Sequence, residues 1–160
     1  MTNSLTELLK QRYPLSSTKK IELDERFLTE AKNFPNEVLD FSSYPNLEQI
    51  ISQGKGGIKS LNVSRNRNLK ELTFLNNKLT RLDLSRNTKL EKIDISNNKI
   101  IGKLDLGECP GLKVIICRNN YLNSLRAHIN LYNNNTLANQ KDNLRPQKDQ
   151  LGEIIADKIH

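Results

Sequence analysis

The sequence predicts an α/β repeat solenoid, mostly β, in which short parallel strands stack in a curved array closed by helical caps. Three observations predict it. Between Ile58 and Leu122 the segments IKSLNVSRNRN, LKELTFLNNK, LTRLDLSRNTK, LEKIDISNNK, IGKLDLGECPG and LKVIICRNNY place apolar residues at positions 1, 4 and 6, with Asn or, once, Cys109 at position 9. Within each segment apolar and polar residues alternate, which is the pattern of a strand with one buried face. On either side of the array the pattern gives way to helix signals. A unit this short cannot bury its own apolar face, so units must stack, and stacking makes an elongated surface rather than a pocket.

The elements follow in order. Ser4 and Glu7 form a capping box for a short helix carrying Leu5, Leu8 and Leu9 and ending before Pro14. IELDERFL at 21–28 keeps Ile21, Leu23 and Leu28 in repeat register, with Arg26 where Asn belongs. Residues 29–37 are a polar insertion containing Pro35, and these first 37 residues form the N-terminal cap. LDFSSYPNL at 39–47 aligns with LDLSRNTKL at 82–90, putting Tyr44 in the Asn position. The solenoid spans 38–125, with strands expected near 49–52, 61–63, 72–74, 82–84, 93–95, 104–106 and 115–117. GKGG at 54–57 lacks the G-x-x-x-x-G-K-[ST] frame of a phosphate loop and reads as a turn one residue longer than the others. Over 126–160 an Asn-rich loop should lead to a capping helix opened by Pro146, with Leu151, Ile154, Ile155 and Ile159 on one face.

The L-x-x-L-x-L-x-x-N/C pattern resembles the leucine-rich-repeat family, in its nested class with coils of ~21 residues made of two half-repeats. One half ends in a double Asn (Asn76-Asn77, Asn97-Asn98, Asn119-Asn120). The other places a small residue before the Asn position, as Ser64 before Asn66, Ser85 before Asn87 and Gly107 before Cys109. Asn66, Asn77, Asn87, Asn98, Cys109 and Asn120 are therefore expected to form a structural ladder. An amide both donates and accepts, so it can satisfy turn backbone groups that would otherwise be buried unpaired. The resemblance implies a binding protein but names no ligand class.

No catalytic chemistry can be assembled. The histidines are His128 and His160, and no nucleophile elbow, paired carboxylates, metal-ligand spacing or cofactor motif is present. Asp83, Asp94 and Asp105 recur by repeat spacing alone. Residues 47–125 hold 14 Lys and Arg against 7 Asp and Glu, so the repeats carry the net charge of +7. These basic residues read as scattered, solvated coil edges. On the double-Asn half the outward positions are Gln49, Ile51 and Gln53, then Glu71, Thr73 and Leu75, then Lys92, Asp94 and Ser96, then Val114, Ile116 and Arg118. Apolar residues aligned on a solvent face point to an interaction surface. The last nine of these residues are the expected partner-binding set, and the partner is expected to be another protein. The alternatives are nucleic acid or anionic membrane on the basic repeats, or a recognition role beside an enzyme such as a ubiquitin ligase. With no secretory signal, no apolar stretch of membrane length and only two cysteines, a cytoplasmic monomer is expected.

Overall fold

The computed structural model describes residues 4–128, 144–148 and 153–158. Period-two burial organises it. Strands β1 (Lys20–Leu23), β3 (Gln49–Ser52), β5 (Glu71–Phe74), β6 (Lys92–Asp94) and β8 (Val114–Ile116) pair in that order as one parallel sheet. Gln49 faces Glu71, Glu71 faces Lys92 and Lys92 faces Val114, steps of 22, 21 and 22 residues. The chain is thus a β-solenoid of about four turns. On the second side β2 (Val38–Asp40) pairs in parallel with β4 (Ser60–Asn62), and β7 (Ile101–Asp105) with β9 (Tyr121–His128). Leu39, Ile50, Leu72, Ile93, Leu104 and Ile115 from both sides meet in one apolar core.

The first turn is longer. Lys20 faces Gln49 across a step of 29 residues. The surplus of seven over the next step equals the length of α2 (Glu25–Ala31), which is capped by Asp24 accepting from the Phe27 N–H at 2.7 Å. The repeat register places Arg26 in a turn; a helix stands there instead, because Asp24 caps it and Phe27, Leu28 and Ala31 give it a buried face. Arg26 is exposed and pairs with Glu30 four residues on. Before it, α1 (Leu5–Arg12) is capped by Ser4, whose Oγ accepts from the Glu7 N–H, and it buries Leu5, Leu8 and Leu9.

Two further expectations are corrected. Residues 82–84 do not form a strand, although Leu84 is buried and Leu82 packs on the core. Paired in register, Asp83 would stand beside Asp105, and like charges directly opposite weaken a ladder. Asp105 instead binds Lys103 and Arg126, at 3.0 and 3.5 Å. At the far end the expected helix after Pro146 is an antiparallel pair, β10 (Leu144–Lys148) and β11 (Glu153–Lys158), with β11 also pairing to β9. The β-branched pair Ile154-Ile155 favours a strand, an unpaired edge of β9 offers the template, and Pro146 lies on the outermost strand, the place in a sheet where proline is tolerated. The expected Asn-rich loop at 129–143, with Leu151 and Ile159, lies outside the described residues.

Candidate functional site

The double-Asn turns set how the five-stranded sheet presents itself. Asn76, Asn97 and Asn119 have φ of 55°, 57° and 54°. Asn tolerates this left-handed conformation better than other residues bearing a Cβ, so the first Asn reverses the chain after each strand. The second Asn closes the reversal. The Asn98 amide donates to the carbonyls of Phe74, Ile95 and Ser96 at 2.7, 3.0 and 3.3 Å, and its Oδ1 accepts from the Leu79 N–H at 3.1 Å. Asn77 and Asn120 repeat this, taking the N–H of Ile58 and of Ile100. On the other half Asn66 donates to Phe41 and Tyr44, Asn87 to Val63 and Asn66, and the Cys109 thiol to Leu84 and Asn87. The Oδ1 atoms of Asn66 and Asn87 are buried without a hydrogen-bond partner. Burial pushes the Cys109 thiol up to about 11, so it stays protonated as a weak donor.

The recurring aspartates have a local task that the sequence reading missed. Oδ1 of Asp83, Asp94 and Asp105 accepts the N–H two residues on, from Ser85, Ser96 and Gly107, as does Asn62 from Ser64. Each closes a turn by the side-chain route that Asx residues favour.

The nine expected contact residues fall into rows across the sheet. Ile51, Thr73, Asp94 and Ile116 are register partners, as are Glu71, Lys92 and Val114. Backbone bonds from Leu75 to Ser52, Asn76 to Ser96 and Asn97 to Arg118 extend the third row through Leu75, Ser96 and Arg118. The sheet thus brings the set onto one face, but exposure differs from expectation. Thr73 and Ser96 are only 6% and 8% exposed. Both are short side chains with neighbours about 4.8 Å away on either side, which shade them. Leu75, Val114, Ile116, Glu71 and Asp94 are half-buried, while Lys92 and Arg118 are exposed. Glu71 is the polar hub, accepting from Lys92 at 2.6 Å and from Thr73 and Gln49 at 3.5 Å.

One residue before these strands, Lys19, Glu48, Lys70, Glu91 and Lys113 alternate in charge. Glu48 pairs with Lys70 at 2.7 Å and Lys19 at 3.3 Å, and Glu91 with Lys113 at 2.6 Å. Hydrogen bonds from Lys70 and from Lys113 hold the carboxyls of Glu48 and Glu91 below their ordinary range. The side chains with most apolar exposure are elsewhere. Ile101 and Tyr121, 66% and 55% exposed, are register partners at the start of β7 and β9. Tyr121 directly follows its double Asn, whereas Ile101, three places after Asn98, is the apolar first position of its segment, and the structure buries Ile100 there instead.

Among the described residues no group of three or more His, Cys, Asp and Glu is placed to hold a metal ion, and no helix is long and apolar enough to cross a membrane. Comparisons with protein-family models, with curated proteins and with solved structures give no match.

Proposed function

We propose that this chain is a non-enzymatic, protein-binding module of the leucine-rich-repeat type, and that its partner docks on the outward face of the five-stranded sheet. The observation that carries the reading is the pair of registered rows: Ile51, Thr73, Asp94 and Ile116, beside Glu71, Lys92 and Val114. Half-shielded apolar groups between fixed charges are the mixture that protein interfaces use, with an apolar centre and a polar rim. The ladder asparagines and the two-half coil support the leucine-rich-repeat assignment. Two buried, reduced cysteines, Cys109 and Cys117, fit a reducing compartment such as the cytoplasm.

The test is capture of a partner from the native cell, followed by paired variants. Leu75→Asp with Ile116→Asp should abolish capture, since each carboxylate would enter a desolvated contact without a counter-charge. Val38→Asp with Ile101→Asp, at exposed apolar positions of the second side, should retain it. The opposite pattern would move the interface to the second side and refute the proposal.

A further inference from the structure

The basic residues are sorted rather than scattered. Three turns leaving the five-stranded sheet, 53–59, 75–81 and 95–100, hold Lys55 and Lys59, Lys78 and Arg81, and Lys99, with no Asp or Glu in any of them, whereas the connection leaving β1 holds Asp24, Glu25, Glu30 and Glu37. The connections entering that sheet also carry Arg65, Arg67 and Arg86, but there Glu48, Glu91 and Glu108 are interspersed, and Glu48 and Glu91 are taken by lysines. Lys55, Lys78 and Lys99 are exposed and make no ion pair among the described residues. The turn places Lys78 and Lys99 in line: the Lys78 N–H bonds the Ile58 carbonyl and the Lys99 N–H the Leu79 carbonyl, so Gly57, Lys78 and Lys99 succeed one another at the strand spacing of about 4.8 Å, with Lys55 two residues before Gly57. At one end the line widens into an open cleft of about 420 Å³, bordered by Lys32 at the end of α2, Lys55, Lys78, Asn76 and Asn97. The Asn97 side-chain Nδ2 has no hydrogen-bond partner among the described residues, while its Oδ1 accepts from Asn119.

We infer that this lysine edge is a second binding site, a track for a flexible phosphate-linked chain, either single-stranded nucleic acid or inorganic polyphosphate. A single line of point charges matches a thin polyanion better than a flat membrane, which needs a plane of contacts. Lysine ammonium and amide N–H are both phosphate donors. The aromatic rings that stack bases are missing from Lys32, Lys55, Lys78 and Lys99 and the Asn residues between them, so recognition acts on the backbone and is blind to sequence. A row of three or four lysines should give a salt dependence of log K with slope about −2 to −3, at ~0.7 per phosphate neutralised on a single strand.

The experiment measures fluorescence anisotropy of a labelled oligothymidylate of about 20 nucleotides on the full chain, with inorganic polyphosphate, poly-glutamate and anionic vesicles as competitors. Lys55→Gln, Lys78→Gln and Lys99→Gln combined should weaken binding at least tenfold, by roughly the affinity that loss of three phosphate contacts removes. Arg65→Gln, Arg67→Gln and Arg86→Gln combined removes the same charge from exposed positions on the opposite edge, and should change binding less than about threefold. Competition by polyphosphate alone, with oligothymidylate binding weaker than it, identifies polyphosphate as the ligand; the reverse identifies nucleic acid. Equal loss in the two triple variants, no binding of either phosphate chain at low salt, or stronger competition by poly-glutamate or vesicles overturns the inference.

Discussion

At the residue scale, two kinds of ladder asparagine do unequal work. Asn98 satisfies three carbonyls and one N–H, whereas Asn87 satisfies two carbonyls and buries an idle Oδ1. Replacing either by Ala orphans backbone groups at about 1–3 kcal/mol per site, but the Asn87 loss is offset by removing an oxygen that already lacked a partner. Urea denaturation should therefore rank Asn98→Ala as the costlier change, by about 1 kcal/mol. Equal costs would mean that Oδ1 of Asn87 is satisfied in solution. The ladder positions were legible in the sequence because a single offset repeats six times. The left-handed role of Asn76, Asn97 and Asn119 was not legible there, since a doubled Asn does not by itself say which residue turns the chain and which one closes it.

At the element scale the informative join is between α2 and the turn at 54–57. A Cβ on Gly54 or Gly56 would lie 2.6 Å from a Leu28 methyl carbon, and at Gly56 also 2.9 Å from Asn77 Oδ1, which is bonded to the Ile58 N–H. The glycines therefore let the helix sit down on the solenoid. Gly56→Ala should destabilise by about 1–3 kcal/mol, as overpacking of a tight core does. Because Leu28 is one of the two obstacles, Leu28→Ala should be less damaging in the Gly56→Ala background than alone, and a double-mutant cycle measures the coupling. An additive cycle would place the strain elsewhere. Strand positions were readable where apolar alternation ran through several units. The break at 82–84 was not, because its segment matches the pattern as well as its neighbours do. Asp83 and Asp105 would meet only if neighbouring coils paired there, which the segment alone does not disclose. The C-terminal end failed for a related reason: the last apolar segment fits a helix face and a strand equally well until an open sheet edge selects the strand.

At the scale of the whole molecule, stability should peak over a broad neutral range with identifiable limits. Burial raises Cys109 to about 11 and Tyr44 to about 12. A raised folded value for an acid means its contribution is complete below the ordinary value and is lost as the pH climbs through the folded one. Stability should thus fall from about pH 9 to 11 through Cys109 and from about 10 to 12 through Tyr44. Glu48 and Glu91 are depressed, so their contribution is present above 4.5 and lost as the pH drops further. Thermal melts across pH check this, and Cys109→Ser should remove the first alkaline step; its persistence in that variant would assign the step to another group. The candidate face was legible as a list of alternating positions, but its exposure was not. Shading of Thr73 and Ser96 depends on what the adjoining coil places beside them.

The ladder also has a direction. Asn66 reaches back to Phe41 and Tyr44, Asn87 to Val63 and Asn66, Cys109 to Leu84 and Asn87, Asn98 to Phe74 and Leu79, and Asn120 to Ile95 and Ile100. In each case the partners lie earlier in the chain. A growing chain can therefore dock every new coil onto atoms already in place, waiting for nothing still inside the ribosome. At roughly 5–20 residues per second a coil of 22 residues emerges over seconds, while local β pairing takes microseconds. The molecule can be laid down course upon course, like masonry, in the order in which it is synthesised.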